Sequence, residues 1–137
     1  MTTTISFSAG HAPGEEVGDV VMAMIARSDN FAEAAGLSPG MAARLTITVE
    51  ELVANAIEHG SAGEITLALV DYPERIGLIL HDNGVEFDPR EKPLHDLPDP
   101  ETGGGVGLSL VKAWSQIDDY ARDGDRNRLS LNLPKER

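Results

Sequence analysis

Glu50-Glu51-Leu52-Val53-Ala54-Asn55-Ala56-Ile57-Glu58-His59-Gly60 is the stretch on which the fold turns. At 3.6 residues per turn, Glu51, Asn55 and His59 follow one another at i, i+4 and stack along one side of a helix. Leu45, Val49, Leu52 and Ala56 form the adjoining apolar stripe, and Ile47, Val53 and Ile57 widen it beyond the usual core-facing arc. A helix that apolar is expected to be mostly buried. A carboxylate and a carboxamide on it then need partners, because burying either without hydrogen bonds or a cation is costly. Taken alone, the helix fits two readings: a polar pair at the edge of an ordinary amphipathic helix, or one wall of a site.

Outward toward the N-terminus, Ser38 and Pro39 supply an N-cap and a proline at the first helical position, opening this helix. Gly36 stops a preceding helix that runs from Glu15 to about Ala35, with Val17, Val20, Val21, Met24, Ile25, Phe31 and Ala35 at helical spacing. Before it, Ile5 and Phe7 alternate with Thr4, Ser6 and Ser8, which predicts a short half-buried edge strand. Toward the C-terminus, alternation over Glu64 to Val70 and over Arg75 to His81 predicts two strands, joined through Asp71, Tyr72 and Pro73 and paired antiparallel. A proline-rich charged loop from Asp88 to Thr102 and a glycine run, Gly103-Gly104-Gly105-Val106-Gly107, lead into a helix with Leu108, Leu110, Val111 and Trp114 on its inner face. A final hairpin is expected around Ile117 to Ala121 and Leu129 to Leu133, turned by Asp123, Gly124 and Asp125. About three helices and four or five mostly antiparallel strands make an α+β, two-layer sandwich.

The chain has 137 residues, which suits one domain over residues 1–137 with a sizeable core. Its formal net charge of −12 argues against direct nucleic-acid binding and against anionic membrane surfaces, and favours basic partner surfaces. It has no cysteine, so disulfides, thiolate metal sites and cysteine nucleophiles are excluded. No apolar run reaches the roughly 18 residues of a membrane span, and Met1 to Ile5 does not begin a secretory leader, so the expected location is cytoplasmic.

Three stretches bear chemistry. Asp82-Asn83-Gly84 directly follows an apolar strand. It reads either as a tight hairpin turn, for which Asn-Gly is suited, or as a strand-end Asp that accepts a hydrogen bond from an exocyclic amine, with Gly84 letting a flat ring approach. The sequel Val85-Glu86-Phe87-Asp88-Pro89 does not resume a clean strand, which counts against the hairpin. The glycine run reads as a linker or as a phosphate cradle of backbone N–H groups at a helix start. It is neither a Walker A loop nor a G-x-G-x-x-G fingerprint. His11, His59, His81 and His95 show neither metal-ligand spacing nor a Ser-His-Asp grouping.

In chain order, Asn55, Asp82-x-Gly84 and Gly103 to Gly107 resemble the N-box, Asp-x-Gly box and Gly-x-Gly box of the Bergerat-type, histidine-kinase-like ATP-binding fold shared by gyrase, MutL and histidine kinases. The resemblance covers roughly Ala9 to Leu133. Within it, Glu51-x-x-x-Asn55 running to His59-Gly60, and Asp82-Asn83-Gly84 with Phe87-Asp88-Pro89, look most like the anti-sigma-factor serine/threonine kinases of bacterial partner-switching systems. The resemblance implies ATP and Mg²⁺ as cofactors. Asn55 would coordinate Mg²⁺ across the phosphates, and Glu51 would be the general base toward a serine hydroxyl or water. Asp82 would read the adenine amine with Gly84 beside it. Gly103, Gly104, Gly105, Val106, Gly107 and Leu108 would wrap the phosphates, and Asn127 falls where the family often places an adenine-side hydroxyl. Arg90 to Thr102 would be the ATP lid.

One departure is visible: kinases of this group can carry an arginine just before the Gly-x-Gly, where this chain has Glu101-Thr102-Gly103-Gly104, leaving Arg90 or Lys92 as stand-ins. The implied partners are a sigma factor and an anti-anti-sigma (STAS-type) protein, with homodimerisation implied as well. The rival reading is a noncatalytic ATP-dependent binding switch. A histidine-kinase catalytic fragment is the third, and the absence of a preceding helix with a phosphoacceptor histidine is taken against it.

Overall fold

A computed structural model describes residues 3–10, 17–58, 63–86 and 111–135. Among these residues five strands form one sheet, β1 (Thr3–Gly10), β2 (Glu64–Asp71), β3 (Arg75–Asp82), β4 (Gln116–Asp123) and β5 (Arg126–Pro134), in the order β1-β2-β3-β5-β4. Every neighbouring pair is antiparallel. The expected edge strand is at the edge of the sheet: among the described residues β1 pairs only with β2.

Two helices, α1 (Val17–Ala35) and α2 (Pro39–Glu58), make a tight hairpin. The break between them is built from the residues that signal it. Gly36 has φ of 67°, the left-handed region open to glycine. Its N–H donates to the Glu33 carbonyl at 3.1 Å while Leu37 N–H donates to Ala32 at 3.0 Å, the paired bonds of a Schellman stop. Two residues on, Ser38 Oγ accepts from the Met41 N–H at 3.2 Å and caps α2. Thr46 Oγ1 donates to Asp29 Oδ1 at 3.1 Å and fastens the two helices side to side.

Alternation along the strands sends Ile65, Leu67 and Leu69 of β2, Ile76, Leu78 and Leu80 of β3, and Leu129, Leu131 and Leu133 of β5 to one face. Leu45, Val49, Leu52, Val53 and Ile57 of α2 and Val20, Met24 and Phe31 of α1 share the core with them. This is the expected two-layer α+β sandwich. Ile47 and Ala56 are only half-buried, so the buried arc of α2 is narrower than its composition suggests. The sheet covers one side of the helix, and Glu51 and Asn55 lie half-buried rather than sealed in the core.

Residues 111–114 form the described end of the helix expected after the glycine run. Val111 is buried in the core, and the Trp114 indole N–H donates to Thr48 Oγ1 of α2 at 3.1 Å. No helix among the described residues is long and apolar enough to cross a membrane.

Candidate functional site

α2 presents Glu51 and Asn55 one turn apart, and Asn55 Nδ2 donates to Glu51 Oε1 at 3.3 Å. With its NH₂ turned to the carboxylate, the carboxamide keeps its oxygen as the atom with which to meet a cation. His59, the third member of the i, i+4 series, lies outside the described residues. Among the described residues no three His, Cys, Asp or Glu side chains gather into a metal cluster. A carboxamide oxygen beside a carboxylate fits Mg²⁺, a hard cation that prefers oxygen ligands.

The second group of site residues lies at the end of β3. Asp82 extends the strand one residue past its expected end and is 8% exposed. Its Oδ1 accepts two hydrogen bonds, from the Gly84 N–H at 2.8 Å and from Asn127 Nδ2 at 2.9 Å. Both fall on the same oxygen. The described residues thus anchor one side of the carboxylate and leave Oδ2 as an acceptor.

Asp82-Asn83-Gly84 is not a hairpin turn, because β3 pairs next with β5, more than 40 positions on. Asn83 serves another purpose: its Oδ1 accepts from the N–H groups of Gly63 at 2.7 Å and Glu64 at 2.9 Å, tying the entry of β2 to the exit of β3. Gly84 is buried, and the next residue, Val85, is a large apolar side chain that is 56% exposed.

Asn127 stands opposite Asp82 in the β3–β5 register and is 4% exposed. Its NH₂ donates to Asp82 Oδ1, to the Val85 carbonyl at 2.9 Å and to the Gly84 carbonyl at 3.3 Å. Its Oδ1 accepts from Tyr120 Oη at 2.5 Å and Arg122 Nη1 at 3.0 Å. The neighbours fix which way the amide points: a guanidinium can only donate, and a carboxylate and two carbonyls can only accept. Arg122 Nη1 also donates to the Gly84 carbonyl at 2.6 Å, and its Nε donates to Gly124 at 2.9 Å.

Tyr120 and Arg122, which hold Asn127, are not among the residues that the sequence singles out. The strand expected there stops at Ala121, whereas β4 runs to Asp123. The signal available is the Gly124-Asp125 turn, which sets Arg122 directly across from Asn127. Gly103, Gly104, Gly105, Val106, Gly107 and Leu108, together with Arg90, Lys92 and the rest of the expected lid, lie outside the described residues.

The chain is similar to known proteins over much of its length. Over 84 residues, 57% of this chain, the sequence is 32% identical to a protein named sensor-type histidine kinase PrrB from Mycobacterium leprae (strain TN). The matched part makes up 19% of that relative's length. Residues 15–133 match the family model described as a histidine kinase-like ATPase domain, nearly the whole span from α1 to β5. The chain therefore belongs to the histidine kinase-like ATPase domain family.

Proposed function

We propose that this chain binds Mg-ATP and acts as an anti-sigma regulatory factor and serine/threonine kinase: it sequesters a sigma factor and phosphorylates a serine on an anti-anti-sigma partner of the STAS type. The observation that carries nucleotide binding is the divided carboxylate of Asp82. One oxygen is held by the Gly84 N–H and Asn127, and among the described residues the other is left as an acceptor suited to the exocyclic amine of adenine. Val85, exposed three residues on in sequence, would give the flat face of a base an apolar surface to cover.

At the phosphate end, Asn55 and Glu51 divide the work. Asn55 Oδ1 would hold Mg²⁺, which when bound supplies positive charge to the phosphate oxygens. That charge matters in a chain of net charge −12, which otherwise repels a triphosphate. Glu51, beside it, orients the attacking hydroxyl and takes its proton. Gly103 to Leu108 would close over the phosphates with backbone N–H groups. The acidic surface also suits a basic partner such as a sigma factor.

The kinase role rests on the sequence resemblance and on the Glu51–Asn55 pairing. Two other readings have support of their own. Glu101-Thr102 in place of an arginine before the glycine run favours a switch that binds partners according to its nucleotide without transferring phosphate. Likeness to a protein named as a histidine kinase favours histidine as the acceptor, although the chain spans about a fifth of that relative.

Incubation with γ-labelled ATP and a partner carrying an acceptor serine separates the three. The kinase reading expects acid-stable label on the partner, lost in Glu51→Gln while ATP binding persists. Acid-labile label would point to histidine. ATP-dependent partner affinity with no label would leave the switch.

A further inference from the structure

Asp82 is held at one remove by β4, a strand that carries none of the residues placed against the nucleotide. Arg122 and Tyr120 both donate to Asn127 Oδ1, and the amide nitrogen of the same group donates to Asp82 Oδ1. The guanidinium thus lies at the far end of a short chain of bonds. Charge at one end polarises the carboxamide and strengthens its N–H toward the carboxylate at the other. Arg122 also clamps the Gly84 carbonyl from the side opposite the Gly84 N–H that Asp82 accepts. The peptide units around Gly84 are therefore gripped at both ends. Together these bonds fix the Asp82 carboxylate in plane and rotamer, with Oδ1 occupied and Oδ2 presented.

We propose that Arg122 and Tyr120 are positioning residues that set the base selectivity of the nucleotide site through Asn127, a role that rests on reading Asp82 as the group that recognises the base. Neither side chain needs to touch the ligand. Their effect is to hold Oδ2 in a fixed place as an acceptor, so that a purine with an exocyclic amine at position 6 binds and one with a carbonyl there is refused. A carbonyl would set acceptor against acceptor, and a site that leaves a buried polar group unpaired rejects such an analogue. If the carboxylate could swing, it would meet the amine of adenine less often and would yield more readily to other bases.

The test compares affinities for Mg-ATP and for the Mg complex of purine riboside triphosphate, which lacks the amine, with folding checked by circular dichroism. Wild type is expected to prefer ATP. Arg122→Ala and Tyr120→Phe are expected to weaken ATP on the order of tenfold and threefold, with little change for the amine-free analogue, so that the preference collapses. Arg122→Lys restores charge without the planar fork and should recover part of the preference. Equal weakening of both nucleotides in folded Arg122→Ala and Tyr120→Phe, or no change in either, would overturn the proposal by showing a purely structural role or none. Should Arg122→Ala fail to fold, Tyr120→Phe and Arg122→Lys decide the matter by the same ratio. A wild type with no preference for ATP, or a preference unaltered by Asp82→Asn, would instead overturn the reading of Asp82, and this proposal with it.

Discussion

Asn127 donates from Nδ2 to Asp82 Oδ1 at 2.9 Å, joining the second residue of β5 to the last residue of β3 across a gap of 45 positions in sequence. Both residues are more than nine-tenths buried, and they stand directly opposite each other in the strand register. Such a bond is worth most when its removal leaves a buried partner unmatched.

Replacing Asn127 by Asp keeps the shape and reverses the chemistry. Two carboxylates would then face each other, and the carbonyls of Gly84 and Val85 would lose their donor. Asn127→Asp is expected to lower folding stability by about 2–4 kcal/mol near neutral pH, measured by urea denaturation. A loss of a few tenths or less would contradict an Asn127 amide that donates to Asp82 and accepts from Arg122.

Thr48 carries a bond between α2 and the end of the helix at residues 111–114. Its Oγ1 donates to the Arg44 carbonyl at 2.7 Å and accepts from the Trp114 indole N–H. Thr48→Val preserves the shape and removes the acceptor. The expected cost is about 1 kcal/mol, with a shift in tryptophan emission, which reports on the surroundings of Trp114, the chain's only tryptophan. Unchanged emission would show that the indole does not dock on α2 through this bond.

The break between the helices can be tested at its cap. Ser38→Ala removes the acceptor for the Met41 N–H and is expected to cost about 1 kcal/mol, whereas Ser38→Asp should retain most of the stability. Thermal denaturation of the two variants measures the difference. Equal midpoints would contradict capping by the side chain.

Residues with local meaning were legible in the sequence. Gly36, Ser38 and Pro39 encode a helix stop and start within a few positions, and strict alternation in β2 and β3 fixes which leucines and isoleucines face the core. Asp82 and Asn55 stand out as candidates through the chain order of three stretches that resembles a known family, because the local setting of each leaves two readings open. Tyr120 and Arg122 do not stand out. In β4 the register shifts between Ile117 and Asp119, so Ile117, Tyr120 and Arg122 share a face although simple alternation would separate Ile117 from the other two. A strand reading Gln-Ile-Asp-Asp-Tyr-Ala-Arg-Asp therefore looks solvated, and an arginine in it looks like a surface charge. Asn83 misleads in the opposite way: next to glycine it signals a turn, while its side chain bridges to Gly63 and Glu64 nearly 20 positions earlier, which no local pattern encodes.

Titration calorimetry of Mg-ATP into wild type and Asp82→Asn tests the central claim, that this chain holds a nucleotide with Asp82 reading its base. Asparagine can keep a carbonyl oxygen for the Gly84 N–H and Asn127 while replacing the second oxygen by an NH₂ that confronts the amine of adenine, donor against donor. The account expects saturable binding by wild type that requires Mg²⁺, and a loss on the order of a hundredfold in a folded Asp82→Asn. No binding by wild type with Mg²⁺ present, or equal binding by the variant, would contradict it.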